Sequence, residues 1–256
     1  DRSHSNQNLR VAYNLGLIYA IQGKFQLALG AYEDALHIAP EDVDTLINKG
    51  SVCIDLQRYA PALSALDQAI AIKSDIPQAW SNKGIALNHL NRLSESVDAY
   101  QEAIRLNPNY HEAWSNLSVP LTALGQYEDA LHASDRALAI KPDFAEGYFN
   151  KGIALNHLNR LSESVDAYQE AIRLNPNYHE AWSNLSVPLT ALGQYEDALH
   201  ASDRALAIKP DFAEGWSNKA ITLNELKRFD EAIAHYDKAL AIKPDFAEGW
   251  SNKAIT

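Results

Sequence analysis

The chain has 256 residues, with 22 Lys plus Arg against 33 Asp plus Glu and a formal net charge of −11 at neutral pH. This acidic surplus argues against binding nucleic acid, where affinity comes mostly from neutralised phosphates. It argues equally against docking on an anionic membrane surface, and no apolar run is long enough to predict a bilayer span.

A single cysteine, Cys53, excludes an intrachain disulfide framework. Met is absent, and the opening "DRSHSNQNLRVAYNLG" lacks the apolar core of a secretory signal. The chain is therefore expected to be trimmed, processed or part of something longer. These residues do not fix the compartment; the cytoplasm is the working expectation.

Residues 1–8 read as a polar lead. From Leu9 onward a 34-residue period sets in, with complete units starting at 9, 43, 77, 111, 145, 179 and 213 and a partial unit over 247–256. Counting positions from the start of each unit, position 4 reads Ala12, Leu46, Trp80, Trp114, Tyr148, Trp182, Trp216 and Trp250, which takes in every Trp of the chain. Position 8 is always small, from Gly16 and Gly50 to Ser186, Ala220 and Ala254. Position 27 is Ala in every complete unit, from Ala35 to Ala239, and position 32 is Pro except at Ser74.

Each unit predicts two helices. In the unit beginning at Ala213, Trp216, Ala220 and Leu223 fall on one helical face. After a short polar turn Ala232, Tyr236 and Ala239 form a second apolar stripe, and Pro244 cannot continue that helix. One helical pair cannot bury its stripe alone, whereas stacked neighbours bury a continuous core. The expected fold is all-α: a right-handed superhelical solenoid of antiparallel helix pairs. A second periodicity lies over the first, since residues 82–147 are identical to 150–215, at an offset of two units. Identity that complete points to a recent or engineered duplication, because surface positions tolerate many alternatives.

The large residue at position 4, the small one at 8, the repeated Ala and the closing Pro resemble the tetratricopeptide repeat over nearly the whole chain. The stretch "LKRFDEAIAHYDKALAIKPDFAE" further resembles the repeat arm of bacterial relatives of O-linked N-acetylglucosamine transferases. The family resemblance implies a concave groove lined by the first helix of each unit. Helical spacing puts positions 2, 5, 6, 9, 12 and 13 on the face opposite the core stripe.

Position 6 is Asn in every unit, including Asn14, Asn48, Asn82, Asn116, Asn150, Asn184 and Asn218. Asn is a poor interior helix residue, so the regularity needs a cause. Either these carboxamides pair with the backbone of an extended peptide, or each bonds to the neighbouring unit. Asn88 and Asn156 at position 12, His89 and His157 at position 13, and Glu112 and Glu180 at position 2 complete the candidate peptide-binding set. Glu there also suits a first helical turn. Such a groove would steer neutral to basic segments.

At position 7, Lys49, Lys83, Lys151, Lys219 and Lys253 are read as snorkelling side chains or as ligand contacts. Pro120 and Pro188, at position 10, are read as helix kinks or as a way of freeing a carbonyl for ligand. No His pair has metal-ligand spacing, and no catalytic motif or phosphate loop is present, so neither an enzyme nor a cofactor is expected. The expected function is a scaffold that holds a protein or peptide segment. Its alternatives are the substrate-selecting arm of a glycosyltransferase and a self-assembling array, in which Trp250 would be buried in a head-to-tail contact.

Overall fold

The computed structural model of the chain describes residues 2–254, so Asp1, Ile255 and Thr256 at the two ends lie outside the described residues. Fifteen α-helices and no strand occur among the described residues. The chain divides into two compact units, residues 1–126 and 127–256.

The first unit contains α1 (Arg2–Ile21), α2 (Phe25–Ile38), α3 (Val43–Asp55), α4 (Tyr59–Ile72), α5 (Pro77–His89), α6 (Leu93–Leu106) and α7 (His111–Ala123). The second contains α8 (Tyr127–Ile140), α9 (Ala145–His157), α10 (Leu161–Leu174), α11 (His179–Ala191), α12 (Tyr195–Ile208), α13 (Ala213–Glu225), α14 (Phe229–Ile242) and α15 (Ala247–Ala254). Odd-numbered helices are the first helices of the repeats and even-numbered ones the second. Residues 2–8 continue as the start of α1 and do not form a separate lead.

The turn between the two helices of a repeat is the same each time. Position 15 is left-handed in every complete repeat: Gly23, Gln57, Asn91, Gly125, Asn159, Gly193 and Lys227 have φ between 57° and 75°. That single residue closes a Schellman cap. In α11, Gly193 N–H donates to Thr190 O at 2.9 Å and Gln194 N–H to Leu189 O at 2.9 Å. So short a link brings the second helix back antiparallel to the first.

The turn between repeats is held by the indoles. Trp80, Trp114, Trp182, Trp216 and Trp250 each donate Nε1–H to the carbonyl at position 32 of the preceding loop, at 2.8 to 3.0 Å. Trp at position 4 therefore fills space and also clamps the loop behind it.

Small residues set how closely paired helices approach. Position 27 is fully buried from Ala35 to Ala239, and at position 20 Ala28, Ala62, Ser96 and Ser164 have no exposure. A Cβ added to Gly152 would lie 2.6 Å from the Tyr168 ring, and one on Gly84 would lie 2.8 Å from Tyr100. Across the same close approach Ser96 Oγ donates to Gly84 O at 2.7 Å and Ser164 Oγ to Gly152 O at 2.8 Å. Pro120 and Pro188 are buried inside unbroken α7 and α11.

The lysines of position 7 tie adjacent repeats together. Lys83 pairs with Asp67 at 2.7 Å, Lys151 with Asp135 at 2.7 Å, Lys219 with Asp203 at 2.6 Å, and Lys49 with Glu33 at 3.4 Å. Lys253 pairs likewise with Asp237 at 2.5 Å. Each acid stands at position 25 of the repeat before. These ammonium groups thus stay partly exposed, as snorkelling implies, while pairing with the second helix of the repeat before.

Candidate functional site

In the second unit the first helices α9, α11 and α13 lie side by side. A cavity of about 390 Å³ opens between α11 and α13, lined by Val187, Thr190 and Ala191 from α11, Tyr195 at the start of α12, and Asn218, Ile221 and Glu225 from α13. Apart from Tyr195, these are positions 9, 12 and 13 of one repeat and 6, 9 and 13 of the next, all among the positions that helical spacing groups together. Its floor is aliphatic, with Val187 38% exposed. Its rim carries one carboxylate, Glu225, which forms no ion pair among the described residues.

Position 5 does not belong to this face: Ser81, Ser115, Ser183 and Ser217 are buried. At Ser183 the burial goes with a bond between helices. Asn218 Nδ2 donates to Ser183 Oγ at 3.0 Å and to Ser183 O at 3.3 Å, from position 6 of one repeat to position 5 of the one before. Asn48 Nδ2 donates to Tyr13 Oη, also at position 5, at 3.1 Å. Asn184 shares a hydrogen bond with the Tyr168 phenol. The carboxamide row thus stitches repeats together at these places, although a carboxamide keeps further bonding capacity once one N–H is engaged.

The remaining candidates are spread out. Asn14 is exposed, whereas Asn82, Asn116, Asn150, Asn88 and Asn156 are half-buried. His89 stacks on Tyr59 with ring centroids 4.2 Å apart, and His157 on Tyr127 at 4.5 Å. Glu112 and Glu180 lie 3.0 Å from Nδ1 of His111 and His179. Of the whole set, only Asn218 lines the cavity. Helical spacing placed position 9, hence Val187 and Ile221, on this face without singling them out; Tyr195 was not foreseen, and the signal available for it was the ring at position 17, where Phe25, Tyr59, Tyr127, Tyr195 and Phe229 recur.

Burial pushes the Tyr32 phenol up to about 12 and raises Tyr100, Tyr168 and Tyr178 as well. It also raises the buried Cys53 thiol, which keeps that group a poor nucleophile. No described helix is long and apolar enough to cross a membrane.

Tetratricopeptide repeat family models match residues 10–42, 43–76, 77–110, 99–132, 121–179, 167–200 and 213–246. The chain belongs to the tetratricopeptide repeat family, whose members mediate protein–protein interaction. Among solved structures it is similar to a tetratricopeptide repeat protein from Parabacteroides merdae, with 13% identity over 97% of this chain and 98% of that one, at a TM-score of 0.77. It is also similar to TTC0263, a thermophilic repeat protein of Thermus thermophilus, with 26% identity over 70% of this chain and 97% of that one, at a TM-score of 0.63. YrrB, described as having an unusual peptide-binding site, matches with 21% identity over 75% and 99% of the two chains, at a TM-score of 0.55. No curated protein matches the sequence.

Proposed function

We propose that the chain is a protein-binding scaffold that holds an extended peptide along the face of its first helices, with an apolar side chain seated between α11 and α13. The observation that carries this reading is the cavity where Val187, Ala191 and Ile221 form an aliphatic floor beside Asn218 and Glu225. Apolar pockets with a few convergent polar groups are the usual form of a binding site. Glu225, in a chain of net charge −11, favours a neutral to basic peptide.

The test is a peptide array graded from acidic to basic, followed by titration of the best binders against Val187→Asp and Ile221→Asp. Both substitutions put a charge into the floor from side chains that are not fully buried, so helicity should hold while binding is lost. Unchanged binding by both variants would remove the proposal.

The reading as an arm of a glycosyltransferase draws on the same Asn positions and asks nothing different of them. Self-association has one observation of its own: Trp250 is 54% exposed, and Val11, Leu15 and Ile18 are exposed on α1. Sedimentation of Trp250→Ala beside the parent tests it, since a parent that stays monomeric at high concentration rules it out.

A further inference from the structure

The repeats meet in two chemically distinct ways. Wherever position 7 is Lys, position 25 of the preceding repeat is an acid: Lys49 with Glu33, Lys83 with Asp67, Lys151 with Asp135, Lys219 with Asp203 and Lys253 with Asp237. Where position 7 is instead Leu117 or Leu185, the preceding position 25 is Gln101 or Gln169. Of these residues Glu33, Lys49, Gln169 and Leu185 line grooves between second helices, and none of them lines the Asn218 cavity. Corresponding grooves can be compared at one junction of each kind. Between α2 and α4, in the first unit, the groove is lined by Lys49, Glu33 and Arg58 and measures about 410 Å³. The Lys–Glu pair stands at its mouth, with Glu33 56% exposed, above buried Leu46 and Cys53.

Between α10 and α12, in the second unit, the same positions line a cavity of about 620 Å³ with no charge on its floor. Leu185 forms the base, with Val165, Ile172 and Trp182 half-buried around it. The charge on the rim is also reversed. Arg58 and Pro61 of the first groove are replaced by Gln194 and Asp197, and Asp166 is added. Neither Asp166 nor Asp197 forms an ion pair among the described residues. Arg173 and His200 also line the groove, and the Arg173 guanidinium is engaged by Glu170 at 2.8 Å.

We infer that the groove between α10 and α12 is a second protein-docking site, which takes an aliphatic or aromatic side chain of a partner flanked by Lys or Arg. The apolar base stabilises the inserted side chain by removing its surface from water, while the two carboxylates attract the flanking cations. A ligand of this kind would bind on the opposite side of the repeats from the peptide in the Asn218 cavity, so the two sites are separable.

The probe is a short synthetic peptide of alternating Lys and photo-leucine, compared with the same peptide carrying Glu in place of Lys. Irradiation should attach the Lys peptide to segments containing Trp182 and Leu185, and the Glu peptide should not label them. Because residues 82–147 and 150–215 are identical, both copies are converted to the other junction type in Gln101→Glu, Leu117→Lys, Gln169→Glu, Leu185→Lys. That variant reuses pairings the chain already contains, and labelling of these segments should be lost. Should it fail to fold, the quadruple change Asp98→Lys, Asp129→Lys, Asp166→Lys and Asp197→Lys, all on exposed side chains, should cut labelling at least tenfold. Val187→Asp should leave it intact. Labelling confined to α11–α13 cavity residues, or unchanged in both groove variants, overturns the inference.

Discussion

Gln57 and Lys227 carry a left-handed backbone with φ of 57° and 59°, where the other repeats have Gly or Asn. A Cβ in that conformation costs about 1–2 kcal/mol, partly offset because Gly loses more freedom on folding. Gln57→Gly and Lys227→Gly should therefore each raise stability by about 0.5–1 kcal/mol, whereas Gly193→Ala should lower it by about 1 kcal/mol. Chemical denaturation of the three variants checks both signs, and stabilisation by the Ala variant would show that the turn is not held by this residue. Gly23, Gly125 and Gly193 made the position partly legible in the sequence; Gln57 and Lys227 hid it, since neither is a residue that announces such a turn. Tyr32 acts at the same scale. Its phenol titrates near 10 when unfolded and at about 12 when folded, so the native state holds the proton longer. Stability should be fully present below pH 10 and fall as pH rises toward 12, and Tyr32→Phe should flatten part of that fall in thermal melts.

At the scale of helices, the period and the helix pairing were legible because they are written in side-chain size and in Pro. What was not legible is where polar tips point. Asn218 and Lys219 are consecutive residues of α13, yet the first bonds back to Ser183 on α11 and the second reaches Asp203 on α12. Helical spacing gives a direction around an axis but does not say which neighbour is within reach. The Lys219–Asp203 pair is a measurable case. With Lys219 only 19% exposed, a double-mutant cycle to Ala should return a coupling of up to about 1 kcal/mol that shrinks with added salt. A coupling of zero at low salt would leave the pair without a stabilising role. The close approach at position 8 gives a larger effect. Gly152→Val would push two methyl groups toward the buried Tyr168 ring, at a cost of about 1–3 kcal/mol in denaturant titration, and an unchanged midpoint would mean that the helices can move apart freely.

For the molecule as a whole, helices within each unit touch their neighbours in sequence and the next first helix, and little beyond. Stability in such a chain is close to a sum of repeat and nearest-neighbour contributions. Removing residues 150–217 joins Phe149 to Asn218 in the register of the duplicated block, taking away 68 of 256 residues. The shortened chain should fold cooperatively and melt lower, with a denaturant slope reduced by about a quarter, in step with the surface lost. A shortened chain that is unfolded would mean that stability is not carried locally.

The matched pairs at positions 7 and 25 also govern which pieces of this chain can be copied. The repeat starting at 145 brings Lys151 and offers Gln169; the one starting at 179 brings Leu185 and offers Asp203. Inserting another copy of either alone would set Lys against Gln or Leu against Asp. Two repeats taken together begin and end in compatible chemistry wherever the cut falls, so they can be inserted without a mismatched seam. The smallest heritable module in this block is therefore the pair, and the identical stretches 82–147 and 150–215 are offset by that length.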